Sequence, residues 1–368
     1  MKLLINMSNN IGGGSLQVGL SFIRECRSFK AHSYVIVYNS SFSNLFNFNE
    51  YEANFKFIEV QPQRFWDLSR VMTKIEKKEK PNVVFTIFGP SYWRPRVKHV
   101  VGFANPYYYQ MDSIFKKRMS RKQYFLIRIK KLIHTAYMNR DTDVLITETA
   151  YTTESYLKLF KRIKKGITVS NTCSDYYTDF MKNKKPKGKN DISTFRLLML
   201  SKYYKHKNFE IIREVSLILQ NRNINNIEFW ITIDDENYQR LFAHNSYVIN
   251  KGVTKPQNCP SLYYDVDAMF LPTLAECFSA SYPEAMVMEK PILTSDLPFA
   301  RTVCKEAALY FNPLNANDIV NKILLLSKNE NLRKKLIDDG KRVFSAIPTA
   351  KERSIEYLNI CNSCNGGI

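Results

Sequence analysis

The chain has 368 residues, 45% hydrophobic and 24% charged, with 54 Lys+Arg against 34 Asp+Glu for a net charge of +20. This is a globular composition with room for two ordinary domains, and it excludes disordered and collagen-like chains. No run reaches the ~18–20 uncharged apolar residues that span a bilayer, and Met1-Lys2-Leu3-Leu4-Ile5-Asn6 turns polar too soon for a secretion signal, which predicts a cytosolic protein.

Short apolar runs alternate with longer amphipathic stretches from end to end, the pattern of strand-helix-strand units in parallel sheets. The first predicted strand, 2–6, is followed by Asn9-Asn10-Ile11-Gly12-Gly13-Gly14-Ser15 and a helical stretch over 16–29. Glycines there let the backbone approach a ligand, and the helix N-terminus favours an anion. The spacing fails G-x-G-x-x-G, which argues against a dinucleotide; a plain tight turn is the competing reading. Further strands are predicted at 34–38, 55–60, 83–87, 100–103, 144–147 and 167–169. Between them, residues 116–131 carry Lys116, Lys117, Arg118, Arg121, Lys122, Arg128, Lys130 and Lys131 with no acid. That segment, with Tyr107-Tyr108-Tyr109 upstream, predicts contact with an anionic bilayer. Alternatively, it is a helix covering the sheet with its lysines solvated. Phe125, Ile129 and Leu132 add salt-resistant anchoring only if they are not packed on the sheet.

Residues 181–191, dense in lysine and holding Pro186 and Gly188, read as a linker. Beyond it, strands are predicted at 195–200, 227–233, 247–249, 268–271, 291–293 and 308–311. Two doubly wound α/β domains therefore face a cleft, with ligands expected at the carboxyl ends of the strands. The charge is uneven. Residues 1–190 hold 33 Lys+Arg against 14 Asp+Glu and residues 191–368 hold 21 against 20, so a large anionic partner, nucleic acid or acidic membrane, is expected at the first half. The cysteines (Cys26, Cys173, Cys259, Cys277, Cys304, Cys361, Cys364) are odd in number and mostly scattered, as reduced thiols are. Cys361-Asn-Ser-Cys364 without a second pair reads as a tail rather than a zinc site.

The densest chemistry lies over 268–291. A strand ends at Pro272, a loop carries Glu276, and a helix opens near Ser281 with Pro283 in its first turn. Backbone N–H groups at Ser279, Ala280 and Ser281 can hold phosphate oxygens, while Glu276 and Glu284 accept hydroxyl groups. A nucleotide-sugar needs such a phosphate site between two hydroxyl-binding acids. The competing reading makes Glu284 a complement to the helix dipole and Glu276 a solvated loop residue.

This segment resembles the E-x7-E region of retaining glycosyltransferases of the GT-B fold, family four in the carbohydrate-enzyme classification. Glu276, Phe278, Glu284, Ala285, Met286 and Pro291 stand at matching places, with Thr273 for Ser, Ser279 for Gly and Glu289 for a later Gly. Leu200-Ser201-Lys202-Tyr203-Tyr204-Lys205-His206-Lys207-Asn208 is similar to the family's G-R-x-x-x-x-K-G loop, Lys202 standing at the Arg and Lys207 at the Lys; taken alone, its lysines read as a solvated loop. Gly252, the run Leu262-Tyr-Tyr-Asp-Val-Asp-Ala and Val169-Ser-Asn171 match as well. The similarity covers nearly all of 195–345 and thins in the first domain.

The resemblance implies an acceptor-binding Rossmann-like domain over 1–180, the linker 181–191, a nucleotide-sugar domain over 192–346 and a segment 347–368 able to pack back toward the first. It implies catalytic roles for Glu276, Lys207 and Lys202. Substrate contacts are expected at Gly13, Gly14, Ser279, Ala280, Ser281, Glu284 and, in the loop after 100–103, Asn105. The expected partners are a UDP- or GDP-sugar, a lipid-linked or oligosaccharide acceptor for capsule or O-antigen synthesis, and the inner face of the cytoplasmic membrane. No cofactor, metal or nucleic acid is expected. Asp141-Thr-Asp143 and Asp265-Val-Asp267 fit the D-x-D metal motif of another glycosyltransferase fold, yet both directly precede buried strands and read as residues that open them. The histidines show no metal spacing, and His99 reads as a core or surface residue. A basic nucleic-acid-binding protein and an inactive scaffold of the same fold are the alternatives.

Overall fold

The computed structural model describes the chain except for residues 10–13, 41, 43–46, 62–64, 111–118, 185–193 and 367–368. Gly12, Gly13, Lys116, Lys117, Arg118 and most of the expected linker thus lie outside the described residues. The chain forms two compact units, the first from Met1–Met111, Met119–Asn171 and Pro348–Ile368, the second from Thr172–Ile347.

In the first unit the elements run β1 (Lys2–Met7), α1 (Gly14–Cys26), β2 (Ser33–Tyr38), β3 (Phe55–Glu59), α2 (Phe65–Glu79), β4 (Val83–Thr86), β5 (Lys98–Gly102), α3 (Tyr107–Gln110), α4 (Arg121–Asp141), β6 (Val144–Thr147), α5 (Ala150–Leu159) and β7 (Lys165–Thr168). Among the described residues these strands form one seven-stranded parallel sheet, ordered β3-β2-β1-β4-β5-β6-β7. Alternation along each strand sends side chains to two faces. Leu3, Ile5, Tyr34, Ile36 and Phe85 pack with Leu20, Phe22 and Ile23 of α1, while Leu4, Val35, Val37 and Val84 pack with Leu68, Met72 and Ile75 of α2. Each such aliphatic side chain contributes about 1.5–3 kcal/mol on full burial. At the end of β5 a Cβ on Gly102 would meet the Ile87 carbonyl oxygen at 2.0 Å, so only glycine fits.

His99 is fully buried in this sheet. Its Nδ1 lies 2.7 Å from the Asp141 carbonyl, which can only accept, so Nδ1 carries the proton and Nε2 accepts from the Thr86 hydroxyl at 2.8 Å. Thr86 Oγ1 in turn accepts from Asn6 Nδ2 at 3.2 Å. Burial holds the imidazole down at about 4, so it stays neutral in ordinary buffers. Asp143 Oδ2 accepts from the His99 backbone N–H at 2.9 Å, and in the second unit Asp267 Oδ2 accepts from Arg196 N–H at 2.8 Å. Each aspartate accepts from the second residue of a neighbouring strand.

The second unit runs α6 (Asp175–Asn183), β8 (Phe195–Met199), α7 (Ile211–Asn221), β9 (Ile227–Ile231), α8 (Asp235–Phe242), β10 (Val248–Asn250), α9 (Cys259–Asp265), β11 (Ala268–Leu271), α10 (Ser281–Val287), β12 (Ile292–Ser295), α11 (Pro298–Cys304), β13 (Ala308–Phe311), α12 (Ala316–Lys328) and α13 (Glu330–Ser345). Its parallel sheet is ordered β10-β9-β8-β11-β12-β13. Ile212, Val215 and Leu219 of α7 meet Ile319, Ile323 and Leu326 of α12 in its core.

The last helix, α14 (Ala350–Asn365), belongs to the first unit. A capping box starts it: Thr349 Oγ1 accepts from Glu352 N–H at 3.2 Å, and Thr349 N–H donates to Glu352 Oε2 at 2.8 Å. Tyr357 meets Phe22 and Phe85 with ring centroids 5.3 and 5.1 Å away. The buried Arg353 donates to Asn171 Oδ1 and, at 2.8 Å, to Ser21 Oγ.

Candidate functional site

In the second sheet the strand order reverses between β8 and β11, and doubly wound sheets bind ligands beyond the carboxyl ends of strands at such a reversal. The loops leaving these two strands, 200–210 and 272–280, are stitched together. Leu274 N–H donates to the His206 carbonyl at 2.7 Å. The Thr273 hydroxyl lies 3.1 Å from that same carbonyl and 3.2 Å from Glu276 Oε1. Asn208 Nδ2 donates to the Pro272 carbonyl at 3.2 Å and the Pro313 carbonyl at 2.9 Å.

Asn208 adopts φ 61°, ψ 40°, the left-handed conformation that asparagine tolerates best after glycine. It follows directly on Lys207, so this backbone kink sets where Lys207 starts. Lys207 Nζ forms an ion pair with Glu276 Oε1. The side chains are 13% and 10% exposed, largely withdrawn from water but still reachable. His206 beside them is held down at about 4, first by burial and then by the Lys207 charge, with Glu276 opposing. It is neutral, leaving Lys207 as the cation paired with Glu276. Lys202 is exposed on the same loop.

Glu284 sits on α10, which starts after Ala280 without a side-chain cap. Its carboxyl group is enclosed and accepts from the Tyr263 hydroxyl at 3.1 Å and from the Tyr177 hydroxyl. Burial pushes it up to about 7 against the pull of both tyrosines and of the Lys207 charge. Glu276, Lys207 and Glu284 thus form one electrostatic group. Ser279 is buried, and Ala280 and Ser281 are half-buried at the start of α10. The arrangement offers a cation and two carboxylates at a sheet's ligand-binding end, enough to neutralise an anion and accept several hydroxyls. A surface groove of about 850 Å³ elsewhere in this unit, between α7 and α8, is lined by mixed residues such as Arg213, Gln220 and His244 and holds none of these groups.

The remaining expected site residues belong to the first unit. Gly14 opens α1 with open space around the position of a Cβ. The Asn105 backbone is engaged at both polar groups by the Tyr156 hydroxyl, and its Oδ1 accepts from Tyr107 N–H at 3.2 Å, a turn that starts α3. Tyr107-Tyr108-Tyr109 is not an exposed aromatic cluster. Tyr108 is buried and meets His134 Nδ1 at 2.9 Å, and Tyr109 packs edge-on against Tyr151 and Tyr156. Sequence reasoning missed Tyr177 and Tyr263 as partners of Glu284 and Asn208 as the loop's anchor. Only Asn208 left a signal, an asparagine directly after the loop lysine where the similar family has glycine.

The family model described as "Glycosyl transferases group 1" matches residues 180–343, less than half of the chain. No curated protein matches. Among solved structures, the chain is similar to a glycosyltransferase from Rickettsia africae ESF-5 (14% identity, covering 100% of this chain and 99% of that one, TM-score 0.70). It is also similar to Anabaena Alr3699/HepE in complex with UDP-glucose (12%, 99% and 100%, 0.70) and to WaaG, a glycosyltransferase involved in lipopolysaccharide biosynthesis (13%, 100% and 100%, 0.69). At such identities the likeness shows the fold alone: two parallel-sheet α/β units of the GT-B class.

Proposed function

We propose that the chain is a retaining glycosyltransferase that moves a sugar from a nucleoside diphosphate to a lipid-linked or oligosaccharide acceptor in surface-polysaccharide synthesis. The observation that carries this reading is the Lys207–Glu276 pair at the reversal of the second sheet, within the span similar to glycosyl transferases group 1. UDP-glucose in one structure of similar fold and the lipopolysaccharide role of another support donor and acceptor class respectively. In this reading Lys207, with Lys202, neutralises the leaving diphosphate. Backbone N–H groups of Ser279, Ala280 and Ser281 hold phosphate oxygens, Glu276 takes sugar hydroxyls, and Glu284 takes ribose hydroxyls. The anomeric C–O bond to the diphosphate breaks as the acceptor oxygen bonds on the same face, its proton passing to the leaving phosphate. Gly13 and Gly14 are assigned to substrate on the resemblance, and Asn105 on its place after β5.

A panel of UDP- and GDP-sugars tests this by thermal shift. One donor is expected to stabilise the protein, by about 2.7 kcal/mol at 100 times its dissociation constant. Indifference to the whole panel, together with salt-dependent oligonucleotide binding, would defeat the proposal. Turnover is also expected to survive an excess of chelator, because side-chain cations supply the charge that a divalent ion supplies elsewhere. Complete loss restored by magnesium would contradict this and point to Asp265 and Asp267 as ligands.

A further inference from the structure

Helix α4 presents chemistry that glycosyl transfer does not use. Its C-terminal half is seated, with His134, Met138 and Asp141 buried. Tyr124, Ile127 and Lys131, all half-buried, continue the same face toward the N-terminus. The other residues from 121 to 133 are exposed. Among them Phe125 is 63% exposed, Leu126 54%, Ile129 39%, Leu132 72% and Ile133 45%. At about 100° per residue these five fall within an arc of about 120° whose centre lies opposite the seated face.

The rim of this stripe is cationic. Arg128 borders one edge and Lys130 the other, Arg121 and Lys122 stand at the N-terminal end, and no Asp or Glu occurs from 121 to 140. A capping box fixes the start of the helix: Ser120 Oγ accepts from Gln123 N–H at 3.2 Å and Ser120 N–H donates to Gln123 Oε1 at 3.3 Å. The stripe is therefore helical from its first residue. Contiguous exposed apolar surface of this kind marks a site of contact. A second copy of the chain would bring the same cations against each other, and a nucleic acid would leave the apolar side chains in water. An anionic lipid surface satisfies both halves of the chemistry. No helix among the described residues is long and apolar enough to cross a membrane, so the fit is to lying in the interface.

We propose that the outward stripe of α4 lies in the interfacial layer of an anionic bilayer. Phe125, Leu126, Ile129, Leu132 and Ile133 enter the headgroup–acyl boundary, and Arg121, Lys122, Arg128 and Lys130 pair with lipid phosphates. Binding then has a salt-sensitive part from the cations and a salt-resistant part from the stripe. It uses none of the residues assigned to the reaction proposed above.

The test is sedimentation of the full chain with phosphatidylcholine vesicles, with and without phosphatidylglycerol, at low salt and at ~1 M, where the Debye length is ~3 Å. The wild type should prefer anionic vesicles and keep a bound fraction at high salt. Phe125→Ser/Ile129→Ser/Leu132→Ser, changes at exposed positions, should lower partitioning at least tenfold and abolish the high-salt fraction without moving the urea midpoint. Changing Arg121, Lys122, Arg128 and Lys130 to Gln should remove the preference for anionic lipid. Equal binding by the triple variant and the wild type would overturn the proposal, as would complete release of the wild type at ~1 M salt. A wild-type dimer that the triple variant converts to monomer would instead make the stripe an interface between copies and equally overturn it.

Discussion

Lys207→Ala is expected to lower turnover by tenfold or more, about 1.4 kcal/mol or greater in the barrier, and also to weaken the fold of the second unit. The two effects have different origins. The first is loss of the cation beside the leaving diphosphate. The second arises because Glu276, only 10% exposed, loses its cationic partner and is left with neutral neighbours such as the Thr273 hydroxyl. Stranding one member of a buried ion pair costs up to about 3–5 kcal/mol, whereas replacing both by neutral groups of similar volume is often neutral. Lys207→Met with Glu276→Gln should therefore regain most of the stability while remaining inactive. Urea unfolding and initial rates with a nucleotide-sugar separate the two outcomes. A double variant as active as the wild type would reduce the pair to scaffolding.

Glu284 should make stability fall as pH rises. Its carboxyl group titrates at about 7 in the fold against an ordinary 4.5, so the native state holds the proton more tightly than the unfolded chain. That contribution is complete below pH 4.5, is lost progressively as pH climbs to about 7, and is gone above it. A shift of this size is worth at most about 3 kcal/mol. Glu284→Gln keeps the shape and removes the titration, so the stability of the wild type relative to this variant should decline by up to that amount between pH 4.5 and 7.5. Denaturant melts at several pH values measure it. A difference that stays flat across the range would place the carboxylate in solvent and remove it from the electrostatic group with Lys207.

The sheets were legible because parallel strands buried on both faces read as unbroken apolar runs. Val83–Thr86, Val144–Thr147 and Ala268–Leu271 are of this kind. β5 was read short, starting at 100 rather than Lys98, because His99 looks polar in sequence. Only the structure shows its nitrogens satisfied by Thr86 and Asp141. Lys207 and Glu276 were picked out through the resemblance, since each belongs to a contiguous loop that could be matched. Tyr177 and Tyr263 were not, because they reach Glu284 from α6 and α9, and no local pattern links the three. The apolar residues of α4 were visible as well, but they occupy opposite sides of the helix, and periodicity cannot say which side the body of the protein takes.

The assignment of α14 to the first unit bears on how the chain is made. Phe22 and Phe85 precede residues 172–347 of the second unit in sequence, yet Tyr357, the aromatic that covers them, follows those residues. The second unit, whose core residues lie between Phe195 and Leu336, has everything for that core before α14 leaves the ribosome. The usual N-terminal-first order of domain folding is thereby inverted for completion. The first unit holds an open apolar face until α14 is made and closes it.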